Sequence, residues 1–404
     1  MMLKKRKEQK KRKTDGLKIR RWILLYLWVL SLAAISYYGG AVSYGIFFGI
    51  TLIPAVSLTY LAAVYFRLGI FQRIESRNMV CGQAMPYFFV LQNDGHFAFA
   101  SISVKLFSSF SFVEKLPGDA AYELLPGERQ TFETKLTCRY RGEYEVGVKE
   151  IVMTDFFRLF QIRYRLPSTI RALVLPKITR VTKLGSIEEF TALLSRESMR
   201  ERTEPDVSVR DYIPGDALKQ IHWKASAREQ KLKVRSLTGE EKQGISVLWD
   251  IGRPGREMRE YLPVESKILE IVLAIGFFLA ENGIEFSGCC GQDALTEKHV
   301  ESLRDFDGFY HTVSDVIFCK EEKFSRLLSA VIKRGIILRS KVVFCVLREL
   351  DEEVLRFTEE FERAGILTVL YVVTDETATD TLWRGNERRR IITIPVEAEL
   401  EGRL

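Results

Sequence analysis

From Trp22 to Phe66 the chain carries no charged residue, a run of 45 positions bounded by Arg21 and Arg67. A membrane-spanning helix needs about 20 apolar residues, so the run predicts two spans and a turn, a helical hairpin over 22–66. Gly39-Gly40 is the natural turn and sets the spans near 22–38 and 43–66. Trp22, Tyr37, Tyr38, Tyr44, Tyr65 and Phe66 cluster near the span ends, where membrane interfaces favour aromatic rings. A cleaved signal peptide would explain one apolar segment but not a second directly behind it.

Beyond Phe66 the pattern changes twice. Over 70–180, short runs rich in β-branched and aromatic residues alternate with turn signals such as Asn93-Asp94-Gly95 and Pro126-Gly127. This predicts an all-β sandwich domain. From 244 to 404, buried-type strands (ISVLWDI, GIEFSGCC, KVVFCVL, ILTVLYVVT, RRIITIPV) alternate with apolar residues at helical spacing, as in Ile268, Ile271, Val272, Ile275 and Leu279. That alternation predicts an α/β domain with a doubly wound, mostly parallel sheet. The helix around Ile268 is too short in its apolar run to span a bilayer and holds Glu270. Residues 181–243 remain as a connector, with a partly helical stretch expected over 186–202.

Charge sharpens this picture. The chain has a net charge of +7, yet residues 4–21 hold eleven Lys and Arg against Glu8 and Asp15, a net +9 that leaves the rest near neutral at −2. Residues 1–21 form a basic tail too polar to pack. The body lacks the basic surplus of a nucleic-acid groove, so no nucleic-acid partner is expected. Arg67, Arg73 and Arg77 flank the second span as the tail flanks the first, and the turn between them has no basic residue. The positive-inside rule therefore predicts a two-span membrane protein with both termini cytoplasmic. The bilayer itself is the first expected partner, and the tail suits anionic headgroups.

The six cysteines (Cys81, Cys138, Cys289, Cys290, Cys319, Cys345) show neither a CxxC spacing nor a His-paired metal spacing. Cys289 and Cys290, adjacent on a strand, should point to opposite faces and pack apart.

The densest chemistry lies in the connector, VSVRDYIPGDALKQIHWKASAREQKLKVRSLTGEE. It gathers Arg210, Tyr212, Pro214, Gly215, Asp216, His222, Trp223, Lys224, Ser226 and Arg228 into one window. Pro214-Gly215-Asp216 reads as a tight turn, and the whole as an extended arm leading into the α/β domain. The bland account is a set of hydrogen bonds clamping the connector to the sheet. Arg210 and Arg228 would then pair with Asp211, Asp216 or Glu240, and Trp223 would fill a gap. The alternative is a docking surface, since Arg and Trp are enriched among binding hot spots.

The runs RDYIPGD, IHWKASAR and LKVRS resemble the signature of the bacterial "domain of unknown function" family 58. RGEYEVGVKEIVMTDFFRLFQ is also similar to that family, whose usual Asp-Pro-Phe-Gly-Leu-Phe run is here Asp155-Phe156-Phe157-Arg158-Leu159-Phe160. The resemblance implies a von Willebrand factor A-like α/β domain. It also implies association with a MoxR-type AAA+ ATPase and with a transglutaminase-like membrane protein.

In the fold so implied, an Asp-x-Ser-x-Ser loop would give oxygen ligands to Mg²⁺. This chain keeps Asp250 but has Gly252 and Pro254 where the hydroxyls would stand, which leaves a degenerate metal site. Asp250 capping its loop or pairing with Arg253 is the expected arrangement, and no cofactor is expected. No Walker A, HExxH or GxSxG pattern is present. His222 with Asp211 or Asp216 and Ser226 has the elements of a triad, but Ser226 follows His222 by only four residues. The reading that results is a non-enzymatic membrane adaptor that docks the ATPase or its client. The alternative is a hydrolase, metal-dependent or metal-independent, centred on Asp216, His222 and Lys224.

Overall fold

The computed structural model of the protein describes residues 2–114, 121–166, 169–185, 208–211, 223–236, 244–253, 255, 257–291, 295–320, 322–337, 340–374, 388–401 and 404. The expected helix over 186–202 lies outside them. The chain divides into two compact units, Met1–Leu175 and Pro176–Leu404.

The first unit opens with helices α1 (Met2–Tyr38) and α2 (Gly40–Arg67). Gly39 and Gly40 make the turn with φ of 60° and 80°, values that glycine adopts without steric cost. Over Gly16–Tyr38 and Gly40–Arg67 both helices are long and apolar enough to cross a membrane. Large side chains such as Trp22, Tyr26, Leu30 and Phe48 are exposed along them, unlike the core helices of a soluble protein. Helix α1 also runs back through the basic tail, which the sequence reading had left unpacked. Lys, Arg, Glu and Gln are good helix formers, and a helix already nucleated by the apolar segment propagates through them.

Strand β1 (Leu68–Ile74) follows α2 without a break. After it come β2 (Asn78–Val80), β3 (Ala84–Asn93), β4 (Phe99–Leu106), β5 (Ser111–Val113) and β6 (Ala121–Leu124). Strands β7 (Arg129–Cys138), β8 (Gly142–Val146), β9 (Val148–Thr154), β10 (Gln161–Arg165) and β11 (Ile170–Leu175) complete the set. They form a β-rich domain of three sheets, ordered β1-β3-β7-β5, β10-β9-β4-β6 and β2-β11-β8. Tyr87, Phe89, Leu91, Leu136, Val148 and Ile151 are fully buried, the first three on one phase of the period-two strand β3. The Asn93 turn has a mechanism: its buried amide donates to the carbonyls of Phe97 and Leu125 and accepts the Gly95 N–H.

The second unit contains a two-stranded antiparallel ribbon, β12 (Ser208–Asp211) with β13 (Lys233–Ser236). Helix α3 (Trp223–Glu229) lies between them in the chain. Strands β14 (Gly244–Trp249), β15 (Phe286–Cys290), β16 (Thr296–Val300), β17 (Ser340–Leu347), β18 (Leu367–Thr374) and β19 (Arg389–Pro395) follow. They build one sheet in the order β16-β15-β14-β17-β18-β19, parallel except for the antiparallel edge strand β16.

Helices α4 (Met258–Glu281) and α5 (Leu303–Ser314) pack on one face, where Ile268, Val272, Ile275 and Phe309 meet Trp249, Phe344 and Tyr371. Helices α6 (Phe324–Lys333) and α7 (Glu352–Arg363) cover the other, where Leu328, Val331 and Phe361 meet Leu248, Cys345 and Leu370. Cys289 faces the second of these cores and Cys290 the first, so the adjacent thiols pack apart. Burial pushes each of them up to about 12.

Candidate functional site

Two places carry the chemistry read from the sequence. The first is the C-terminal end of β14. The chain goes from β14 to β15 on one side and later to β17 on the other, so the sheet order reverses between β14 and β17. Open α/β sheets bind ligands at such a crevice. Asp250, just past β14, is 4% exposed and still bonds its N–H to the Val346 carbonyl.

Its carboxylate turns back on its own loop. Oδ1 accepts the Gly252 N–H at 2.7 Å, and Oδ2 lies 3.9 Å from Nε of Arg348, the residue after β17. Burial raises the Asp250 carboxyl above its ordinary value of 3.8, opposed by the Gly252 N–H and the Arg348 charge. Asp250 thus caps its loop as expected, but its cationic partner is Arg348 and not Arg253. Arg253 is drawn to α4, where it pairs with the buried Glu265 at 2.7 Å and lies 4.3 Å over the Tyr261 ring.

The same loop has no room for the missing hydroxyl. A Cβ on Gly252 would come 2.8 Å from the Glu322 carbonyl oxygen and 2.9 Å from Asp250 Oδ1. The Arg348 guanidinium stands beside the carboxylate. Among the described residues no group of three or more His, Cys, Asp or Glu side chains comes together. Pro254 lies outside those residues. The shallow depression at Asp250, lined among others by Trp249, Glu322 and Phe324, leaves no enclosed room even for a water molecule. Small-molecule pockets begin at roughly 300 Å³.

The second place is the connector motif. Arg210 sits in β12 opposite Val234 of β13. Tyr212, Pro214, Gly215, Asp216 and His222 lie outside the described residues. Trp223, Lys224, Ser226 and Arg228 form α3, so this part of the arm is helical and not extended. The run Trp-Lys-Ala-Ser-Ala-Arg-Glu explains it, being built largely from strong helix formers. Ser226 is 9% exposed, and its Oγ accepts the Lys233 N–H at 2.8 Å. That bond fastens α3 to the start of β13 and engages the hydroxyl that a triad would need as nucleophile. Trp223 does not fill a gap: it is 68% exposed, beside the exposed Lys224 and Arg228.

Sequence reasoning missed Arg348. The available signal was a charged residue directly after the buried run KVVFCVL, at the same strand end as Asp250.

Solved structures offer only distant likenesses. The CARDB domain of a Pyrococcus furiosus protein shares 16% identity, with 27% of this chain and 87% of that one covered and a TM-score of 0.18. The MG7-to-C-terminus part of Escherichia coli alpha-2-macroglobulin shares 19%, covering 28% and 17%, with a TM-score of 0.20. The Bacillus subtilis sporulation control protein Spo0M shares 14%, covering 36% and 58%, with a TM-score of 0.18. Of the last two the chain spans less than two thirds of the length, and at these scores none of the three bears on function. No curated protein matches the chain. Residues 208–296 match the family described as "Protein of unknown function DUF58". That segment runs from β12 into β16 and includes α3, Ser226 and Asp250, and over it the chain is similar to the DUF58 family.

Proposed function

We propose that the protein is a non-enzymatic adaptor of the cell membrane, held by two spans with both termini in the cytoplasm. Its second unit, in this reading, is a doubly wound domain of the von Willebrand factor A type. It docks a MoxR-type AAA+ ATPase, or the client of that ATPase, through the α3 ribbon. A transglutaminase-like membrane protein is a further candidate partner. The observation that carries the proposal is Trp223, a large indole 68% exposed on a helix fastened in place by Ser226. A rigid aromatic flanked by Lys224 and Arg228 offers contact area and charge together at little ordering cost, which is how interface anchors work.

Three further observations fit. The Asp250 crevice is taken up by its own loop and by Arg348, which favours recognition elsewhere than at that crevice. The parallel sheet with helices on both faces suits an A-type domain. The basic residues at the outer ends of α1 and α2 favour cytoplasmic termini.

The test uses full-length protein in detergent and a purified MoxR-type ATPase from the same genome. Binding by the intact protein, lost in Trp223→Ala with thermal unfolding unchanged, is the expected result. Equal binding by Trp223→Ala would remove α3 as the docking site.

A further inference from the structure

We infer that the turn over residues 155–160, between β9 and β10, is a lipid anchor that seats Phe156 and Phe157 in the headgroup layer of the bilayer crossed by α1 and α2. Two consecutive phenylalanines, 58% and 52% exposed, tip this turn. A loop tip facing only water rarely presents such a pair.

The turn is also held at a defined depth. Arg20 donates to the Phe157 carbonyl at 3.3 Å, and Arg21 Nε to the Leu159 carbonyl at 2.6 Å. The Arg21 guanidinium lies 5.3 Å over the Phe160 ring. The charge-free run of α1 begins at the next residue, Trp22. A helix rises 1.5 Å per residue, so both anchoring arginines stand within about 3 Å, along the axis, of the edge of the apolar segment. The headgroup layer is about 5–7 Å thick on each side, which puts the turn inside it.

Helix α2 is brought to the same level by its register on α1, its own charge-free run ending six residues beyond Tyr60 at Phe66. Trp28 Nε1 donates to Thr51 Oγ1 at 3.0 Å and sets the register of the two helices, which brings Tyr60 level with Ile19. The Phe156 ring packs on Tyr60 at 4.6 Å. Tyr60 in turn donates to the Ala98 carbonyl and accepts the Ala100 N–H, both at 3.0 Å, and so fixes the β-rich domain to the helix at this level. Exposed Arg20 and Arg158 beside the rings match the charge of anionic headgroups. Apolar rings among cations are the composition of surfaces that lie in the membrane interface.

The inference rests on the reading that α1 and α2 span the bilayer, and one experiment reads the two separately. The full-length protein is placed in nanodiscs of phosphatidylglycerol and phosphatidylcholine. The photocrosslinker p-benzoylphenylalanine is incorporated, one position at a time, at 157, at 30 within the span, and at 112. Phe112, in β5, is 54% exposed and matches Phe157 in accessibility without the depth markers. Lipid adducts at 30 and 157 and none at 112 are expected. Adducts at 30 alone, with 157 as unreactive as 112, would overturn the anchor and leave the spans standing. No adducts at 30 would overturn the span reading and the anchor with it.

Discussion

The carboxylate of Asp250 and the guanidinium of Arg348 face each other at 3.9 Å across the C-terminal ends of β14 and β17. Burial raises the carboxyl above 3.8 in spite of that pairing. A group whose folded pKa exceeds its unfolded value binds its proton more tightly in the native state. Stability is therefore greatest in acid on this account and falls as pH rises through the window between 3.8 and the raised folded value. Arg348→Met removes the cation that faces Asp250 and should widen that window. The expected cost is about 1–3 kcal/mol at neutral pH and clearly less in acid. Adding Asp250→Asn should recover most of the loss. Thermal unfolding of the two variants across pH tests this, and an equal destabilisation at every pH would mean that Arg348 acts through packing alone.

Arg158 is one of two described non-glycine residues with positive φ, at 54°. It stands in a turn closed by Asp155, whose Oδ1 accepts the Phe160 N–H at 2.8 Å while its carbonyl accepts the Arg158 N–H. A left-handed backbone costs an L-residue about 1–2 kcal/mol, part of which a glycine would return as unfolded-chain entropy. Arg158→Gly should thus stabilise the β-rich domain by about 0.5–1 kcal/mol. A denaturant midpoint that moves down, with an unchanged slope, would show that the exposed guanidinium contributes more than the strain costs.

The sequence was legible wherever one period dominated. β14, β17, β18 and α4 are long apolar stretches, and the structure places them as read. Strand β16, TEKHV, was missed because an edge strand with mostly exposed side chains needs no apolar alternation. Helix α3 was read as extended because the turn signals of Pro214-Gly215 stand shortly before it, with seven residues between Gly215 and Trp223, while its own Ala, Lys and Arg content argued for a helix. In the Asp250 site the carboxylate could be placed from the end of its strand. Its partner could not, because pairing follows the sheet order and Arg348 reaches Asp250 only once β17 lies beside β14.

Glu270 of α4 gathers three groups. It accepts the Thr179 hydroxyl at 2.7 Å and pairs with Lys177 and Lys267, each at 3.0 Å. Lys267 also donates to the Ala398 carbonyl, so this node ties α4 both to the entry of the unit and to its C-terminal segment. Burial alone would raise the Glu270 carboxyl, but the Thr179 bond and the two lysines outweigh it and hold it below 4.5. A depressed folded pKa contributes stability above the unfolded value that is lost as pH falls through the folded one. Glu270→Gln should cost about 1–3 kcal/mol at neutral pH. In melting curves recorded across pH, the difference from the intact protein should vanish once acid has protonated the native carboxylate. A gap that persists there would assign the role of Glu270 to shape and not to charge.

Ser226 decides between two accounts of the motif. As a clamp, its Oγ accepts the Lys233 N–H at 2.8 Å and holds α3 against β13, the geometry that presents Trp223 to solvent. As a nucleophile, it would have to give up that bond, and a typical hydrogen bond contributes about 0.5–1.5 kcal/mol. The clamp predicts that Ser226→Ala speeds hydrogen exchange at the Lys233 amide by about fivefold or more, the equivalent of about 1 kcal/mol of local opening. It also predicts weaker ATPase capture, because a loosened α3 pays more ordering entropy on binding. Ser226→Thr keeps an acceptor at the same point and should restore both. If Lys233 protection is unchanged in Ser226→Ala, the hydroxyl is not what holds the helix, and the docking reading loses the rigidity that makes an exposed Trp223 an anchor.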